Sequence, residues 1–274
     1  MKLTDSNQLP WQVYTHPREG TAELKVLAAA ESSPGMNFFF ILVRYGSHET
    51  FQTPRHHHTF EQIRYSVDGA LNYAKGKDLP EGWIGYFPAG AYYGPQRVER
   101  GIVLGVQFGH GYLNEEQKAR AQAELAALGT FHNGIYSYVD DSGKSHNKDG
   151  MEAMWEHIHG RALEYPEPRY PEPVLMNPAA FSYVPTDLAG IEEKHLGTFT
   201  ERRVGMRFLR WTQDATAILD PNQSQLGYLT SGEAVIDAQC VGAGAALWSE
   251  HGEATQVAGI AGSEMLIWDL PGAA

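Results

Sequence analysis

The densest group of potential ligands in the chain is the run His56-His57-His58-Thr59-Phe60-Glu61-Gln62. On an extended strand, side chains two apart share a face, so His56 and His58 are expected to point inward together and His57 the other way. Gln62 and Arg64 continue on the inward face if no bulge intervenes. Paired imidazoles at this spacing suit Zn, Fe, Ni, Cu or Mn. Without a metal, the same rings titrate in the range that acid/base catalysis needs. A guanidinium at Arg64 aimed into an interior is costly when unpaired. It must therefore meet an internal carboxylate or receive a substrate anion. A second segment, Gly82-Trp83-Ile84-Gly85-Tyr86-Phe87-Pro88-Ala89-Gly90-Ala91-Tyr92-Tyr93, reads as a strand and tight turn carrying three tyrosines. Whichever of Tyr86, Tyr92 and Tyr93 faces in, the pocket wall is aromatic. Gln107 and His110 on the next strand add polar groups. Plainer roles exist for each: an exposed polar tract after Pro54, backbone satisfaction by Gln62, and barrel filling by Tyr93.

Short β-rich runs between glycines and prolines must position these groups. Phe38 to Val43, Ile84 to Phe87 and Gly101 to Val106 read as strands, as does Gln62 to Val67, closed by the turn dipeptide Asp68-Gly69. The character changes after residue 111. Asn114 with Gln117 predicts a capping box opening an Ala- and Leu-rich helix that stops by Gly129. Met151, Met154, Trp155 and Ile158 form a helical stripe ended by Gly160. Asp140 to Asn147 reads as a polar loop, and Pro166, Pro168, Pro171 and Pro173 as a stiff extended segment. Beyond Leu175 the β pattern returns over Met206 to Trp211, Ala215 to Leu219, Gln225 to Leu229, Ala234 to Ile236 and Met265 to Trp268. Gln225 precedes Gly232 by the interval that separates Gln62 from Gly69, a faint internal duplication. The expected organisation is a barrel over 1–111, a helical and Pro-rich connector over 112–174 with no separate core, and a second barrel over 175–274.

The two motif segments resemble the signatures of the cupin superfamily. His56-x-His58, three residues, Gln62, six residues and Gly69 follow the first signature, except that Gln62 stands in place of its glutamate. Gly82, five residues, Pro88-x-Gly90, two residues and Tyr93 follow the second, with Tyr93 in place of its histidine. The resemblance implies an all-β fold of two cupin-type jelly-roll barrels, a bicupin whose C-terminal half is degenerate. It also implies a divalent transition metal (Fe, Mn, Ni or Zn) on His56, His58, Gln62 and Tyr93, weakly bound or absent. The donors make a poor set, because none is anionic near pH 7 unless a metal depresses the Tyr93 pKa from roughly 10. Restoring a charge with Gln62→Glu is then expected to tighten metal binding. In the second barrel Leu219, Pro221, Gln225 and Thr255 take the four ligand positions, so no metal is expected there.

The chain has 274 residues, 33 acidic and 21 basic, a formal charge of 21 − 33 = −12. That balance gives no footprint for nucleic acid. The polar start Met1 to Ser6 predicts no secretory leader, and no apolar run is long enough to span a bilayer, so a cytoplasmic protein is expected. One cysteine excludes an internal disulfide; with no basic neighbour in sequence, Cys240 is expected to be an apolar filler. His157 and His159 do not share a helix face and are expected at the surface. The resemblance implies an enzyme acting on a small organic, anionic molecule by metal-dependent oxygenase, isomerase or lyase chemistry. In that scheme Gln62 orients, Tyr93 ligates or moves a proton, and Arg64 anchors the anion. A metal-free acid/base enzyme and a non-catalytic binding or storage-like bicupin are the alternatives, and the barrel edges suggest a homodimer.

Overall fold

A computed structural model describes residues 1–15, 18, 20–33, 36–109, 113–199 and 202–270. The strands expected from β-branched and aromatic content form as Met36–Tyr45, Gln62–Asp68, Ile84–Phe87 and Gly101–Phe108. The chain divides into two compact units. One comprises Trp11–Leu24 and Ile41–Leu175; the other comprises Met1–Pro10, Lys25–Phe40 and Met176–Ala274. The long strands Thr21–Ser33 and Met36–Tyr45 thus contribute to both.

In the first unit, a seven-stranded sheet runs in the order Val174–Met176, Ile84–Phe87, Gln62–Asp68, Gly101–Phe108, Met36–Tyr45, Thr21–Ser33, Gln12–Thr15. Short ladders, Phe51–Thr53 with Gln96–Val98 and Leu71–Ala74 with Lys77–Leu79, complete the barrel wall. Its core is built from Phe51, Leu71, Leu79, Phe87, Val98 and Val103. Gln62–Asp68 is a central strand, with Gln62 opposite Phe87 on one neighbour and Gln107 on the other. That register sets Phe87, Gln62 and Gln107 side by side across three neighbouring strands.

The segment after residue 111 holds more than two helices. Glu115–Ala126 opens with the expected capping box of Asn114 and Gln117, and Gly150–His159 ends on Gly160 in the left-handed region. Between them, the strands Gly129–His132, Ile135–Val139 and Ser145–Asp149 form an antiparallel meander. The polar tract Asp140 to Asn147 is therefore a hairpin turn and half of a strand. The Asp140 carboxylate takes the N–H groups of Ser142 and Lys144, closing that turn locally. Leu113, Ala121, Leu125, Tyr136, Met151 and Met154 give the segment a hydrophobic cluster of its own. Its short, half-exposed strands conceal it in the sequence.

The second unit repeats the barrel plan. Its seven-stranded sheet, in the order Lys2–Asp5, Ala245–Ser249, Gln225–Ser231, Glu264–Asp269, Val204–Trp211, Ile191–Phe199, Val184–Pro185, faces a four-stranded one made of Ala215–Ile218, Gln256–Gly259, Glu233–Ile236 and Gln239–Gly242. Trp211, Leu229, Ile236, Leu247, Val257 and Ile267 fill the space between. Cys240 is exposed on that smaller sheet and fills no core, because its hairpin strand pairs on one edge only. No helix among the described residues is long and apolar enough to cross a membrane.

Two glycines of the second motif segment do different work. Gly82 and Gly90 both have positive φ, +74° and +77°. A Cβ on Gly82 meets nothing within 4 Å, whereas one on Gly90 falls 2.0 Å from the carbonyl oxygen of Pro166 in the Pro-rich segment. Gly82→Ala is expected to cost about 1 kcal/mol, from the backbone conformation alone. Gly90→Ala is expected to cost about 2 kcal/mol or more beyond that, because backbone must move. Denaturant unfolding of the two variants checks the difference.

Candidate active site in the first barrel

The histidine run is not a strand. Residues 54–61 form an irregular link between Phe51–Thr53 and Gln62–Asp68, so strand alternation is not what brings His56 and His58 together. Backbone bonds to the second motif do that. His56 N–H donates to the Tyr93 carbonyl at 2.9 Å, Tyr93 N–H returns a bond to His56 at 3.0 Å, and Gly90 N–H donates to the His58 carbonyl at 2.8 Å. The two segments are thereby fastened face to face. The rings of His56 and His58 lie 5.1 Å apart, and those of His56 and Tyr93 4.5 Å. All three side chains are buried. His58 also stacks on Phe60 at 4.6 Å. The His56 Nδ1 sits 2.8 Å from the Pro54 carbonyl, which can only accept. The neutral ring therefore carries its proton on Nδ1 and keeps Nε2 as the basic nitrogen.

His57 points elsewhere, sandwiched between Tyr92 at 4.0 Å and Tyr165 at 3.4 Å, with Nδ1 toward the Gly90 carbonyl at 3.2 Å. Tyr92 is 45% exposed and its ring lies on His57, not on the His56–His58 pair. Tyr86 turns its hydroxyl toward Glu61 at 3.4 Å. Tyr93 is thus the tyrosine that faces the imidazoles. His157 and His159 are exposed, as expected, while His110 lies outside the described residues.

Arg64 shares the face of Gln62. Its Nε and Nη2 donate to Gln62 Oε1 at 2.9 and 2.6 Å, and Nη2 also donates to the Tyr93 hydroxyl at 3.0 Å. The Gln62 amide donates to Gln107 Oε1 at 3.3 Å. The guanidinium carbon stands 4.4 Å from the centre of the Phe87 ring and 5.1 Å from that of Tyr93, a cation held among aromatic faces. Nη1 is buried without a hydrogen-bond partner. No carboxylate among the described residues pairs with Arg64. Burial pushes the Tyr93 phenol above its ordinary pKa, although Arg64 pulls it down, so the group keeps its proton at neutral pH. Burial likewise raises Tyr45, within electrostatic reach of the same guanidinium. Neither Phe87 nor Tyr45 stands out in the sequence as a site residue. Phe87 is detectable there only as the cross-strand partner of Gln62, once Ile84–Phe87 and Gln62–Asp68 are taken as neighbours.

No family model matches this sequence, and no curated protein does. Solved structures do. A proposed dioxygenase of Nostoc punctiforme is 12% identical, with a TM-score of 0.63 over 98% of this chain and 81% of that one. Ylba of E. coli is 16% identical, with a TM-score of 0.56 over 97% and 89%. A variant of Bacillus subtilis oxalate decarboxylase is 15% identical, with a TM-score of 0.57 over 100% and 78%. The fold is that of the cupins. At these identities the likeness establishes the architecture, and the chemistry must be read from the pocket itself.

The donor set does not fit a divalent transition ion. Among the described residues, no cluster of three or more His, Cys, Asp and Glu could hold one. The two oxygen donors at the cupin ligand positions, Gln62 Oε1 and the Tyr93 hydroxyl, already accept from Arg64. In the second cupin barrel, Leu219, Gln225 and Thr255 are buried. Gln225 bonds Asp269 through its amide, repeating the pairing of Gln62 with Gln107 at the same register. Arg207, on the separate strand Val204–Trp211, pairs with the same Asp269 at 3.2 Å and with Glu193 at 3.4 Å. Gly227 stands two residues beyond Gln225, where Arg64 stands beyond Gln62, so the second barrel has no arginine at that place.

Burial lowers the pKa of His57, outweighing the Gly90 carbonyl that supports its charged form. As pH falls through the ordinary imidazole range near about 6.5, the unfolded chain takes up this proton before the folded one. Wild-type stability is therefore expected to fall over that window and on down through the depressed folded pKa. A His57→Phe variant, which keeps the stack, should show a flatter profile; thermal melts at stepped pH compare the two.

Proposed function

We propose that the first cupin barrel binds a small organic anion, its carboxylate on Arg64, and acts on it by metal-free proton transfer of isomerase or lyase type. One observation carries this reading: among the described residues Arg64 is a fixed cation with neutral partners only and a buried, unsatisfied Nη1. A guanidinium so held is costly in a barrel unless an anion completes it. Carboxylate binding supplies both the missing charge and the missing acceptor.

The remaining groups have roles set by their protonation. Tyr93 accepts from Arg64 and, holding its own proton, can donate it to an oxygen of the bound molecule. His56, its Nδ1 fixed on Pro54 and its ring beside Tyr93, is the imidazole assigned as the base. Gln62 and Gln107 hold the guanidinium in place through their paired amides. Phe87 and Phe60 supply apolar walls that keep the local dielectric low and strengthen these contacts. The oxalate decarboxylase of Bacillus subtilis has Mn(II) centres. In this chain, the oxygens bonded to Arg64 argue against the same chemistry.

Calorimetry against a panel of small mono- and dicarboxylates tests the proposal. Arg64→Gln is expected to weaken the best ligand about tenfold to a hundredfold, the weight of one charged hydrogen bond. Tyr93→Phe should leave binding within a few-fold but abolish exchange of the ligand's α-proton with deuterated solvent, followed by NMR. Equal affinity in wild type and Arg64→Gln would refute the assignment.

A further inference from the structure

We infer that Arg64 is the resident cation of the first barrel, seated on the oxygens a metal would need, so that residues 62 and 64 together decide between guanidinium and metal. The inference deepens the proposed reading of the same pocket, yet it concerns what excludes a metal and not which anion binds. Gln62 Oε1 receives two N–H bonds from Arg64, at 2.6 and 2.9 Å, and the Tyr93 oxygen receives a third at 3.0 Å. An ion approaching His56 and His58 would have to take those lone pairs from a group of its own charge. The guanidinium carbon, 4.4 Å from the centre of the Phe87 ring, is held at that place by the ring face.

The arrangement changes what Gln62→Glu should do. Alone, the new carboxylate lies on the Nε–Nη2 edge of Arg64, where it forms a bidentate pair and is neutralised. The pocket becomes neutral without becoming a metal site. Only when Arg64 is also removed do two imidazoles and a free carboxylate face a site whose other nearby cation, Arg18, is already paired with Asp149. Three such protein ligands with one open position are what a catalytic transition-metal centre uses.

Four proteins test the inference: wild type, Gln62→Glu, Arg64→Met, and the double variant. Each is stripped with chelator, checked for folding by thermal melt, and titrated with Zn(II), Ni(II) and Mn(II) by calorimetry. Co(II) absorption serves as the spectroscopic readout. Wild type and Gln62→Glu should bind no stoichiometric ion, and Arg64→Met only weakly. The double variant should bind one equivalent about a hundredfold or more tighter than Arg64→Met, because a charged ligand replaces a neutral one where charge is poorly screened. One tightly held equivalent in wild type would overturn the inference, as would Gln62→Glu binding as well as the double variant. A folded double variant that binds nothing would also overturn it. If the double variant fails to fold, the wild-type and Gln62→Glu titrations still decide. Carboxylate affinity of wild type, measured separately, tells failure of this inference from failure of the anion assignment.

Discussion

A part-buried arginine lines a small β-barrel, and among the described residues only an amide, a phenol and aromatic faces hold it. The Arg64 site supplies no carboxylate among the described residues, so the surrounding structure must hold it by geometry. The three strands around it do so. Gln62 is fixed between Phe87 and Gln107 by the sheet register, and the fixed amide fixes the guanidinium. Arg207, on a different strand of the other barrel, is held by charge instead. There, two carboxylates neutralise the arginine, and it becomes a structural ion pair.

The second constraint is the fastening of the histidine link to the tyrosine turn. Three backbone hydrogen bonds set the distance between His56, His58 and Tyr93, and they need Gly90 in its left-handed conformation. The Pro-rich segment crosses that glycine closely enough to exclude a methyl group, and Tyr165 stacks on His57 one residue from each site histidine. The segment therefore braces the link from outside. Proline suits this role because an extended chain with little freedom of its own can hold a loop without ordering cost.

Much of the framework was legible because strand periodicity and turn glycines are local signals. Ile84 to Phe87, the capping box at Asn114 and the stop at Gly160 stand where local chemistry puts them. The meander between residues 129 and 149 was not legible, since its strands are short and expose polar side chains at alternate positions. The convergence of His56, His58, Gln62, Arg64 and Tyr93 was expected, although strand parity was the wrong reason for the histidines. Their link is irregular and is shaped by bonds to residues over thirty positions away, which no local pattern reports. Whether Arg64 would meet a carboxylate was equally hidden. That depends on what neighbouring strands bring opposite it, and those residues are Gly85 and Gly105, which carry no carboxylate.

The central claim is that Arg64 presents one unsatisfied face to a ligand. The side-chain 15N resonances of its guanidinium, assigned with an Arg64→Lys variant, report on that face directly. On addition of a small monocarboxylate, saturable shifts of the Arg64 Nη signals are expected, with those of Arg207 unmoved. A carboxylate that binds while the Arg64 signals stay still, or that moves Arg207 instead, would contradict the account.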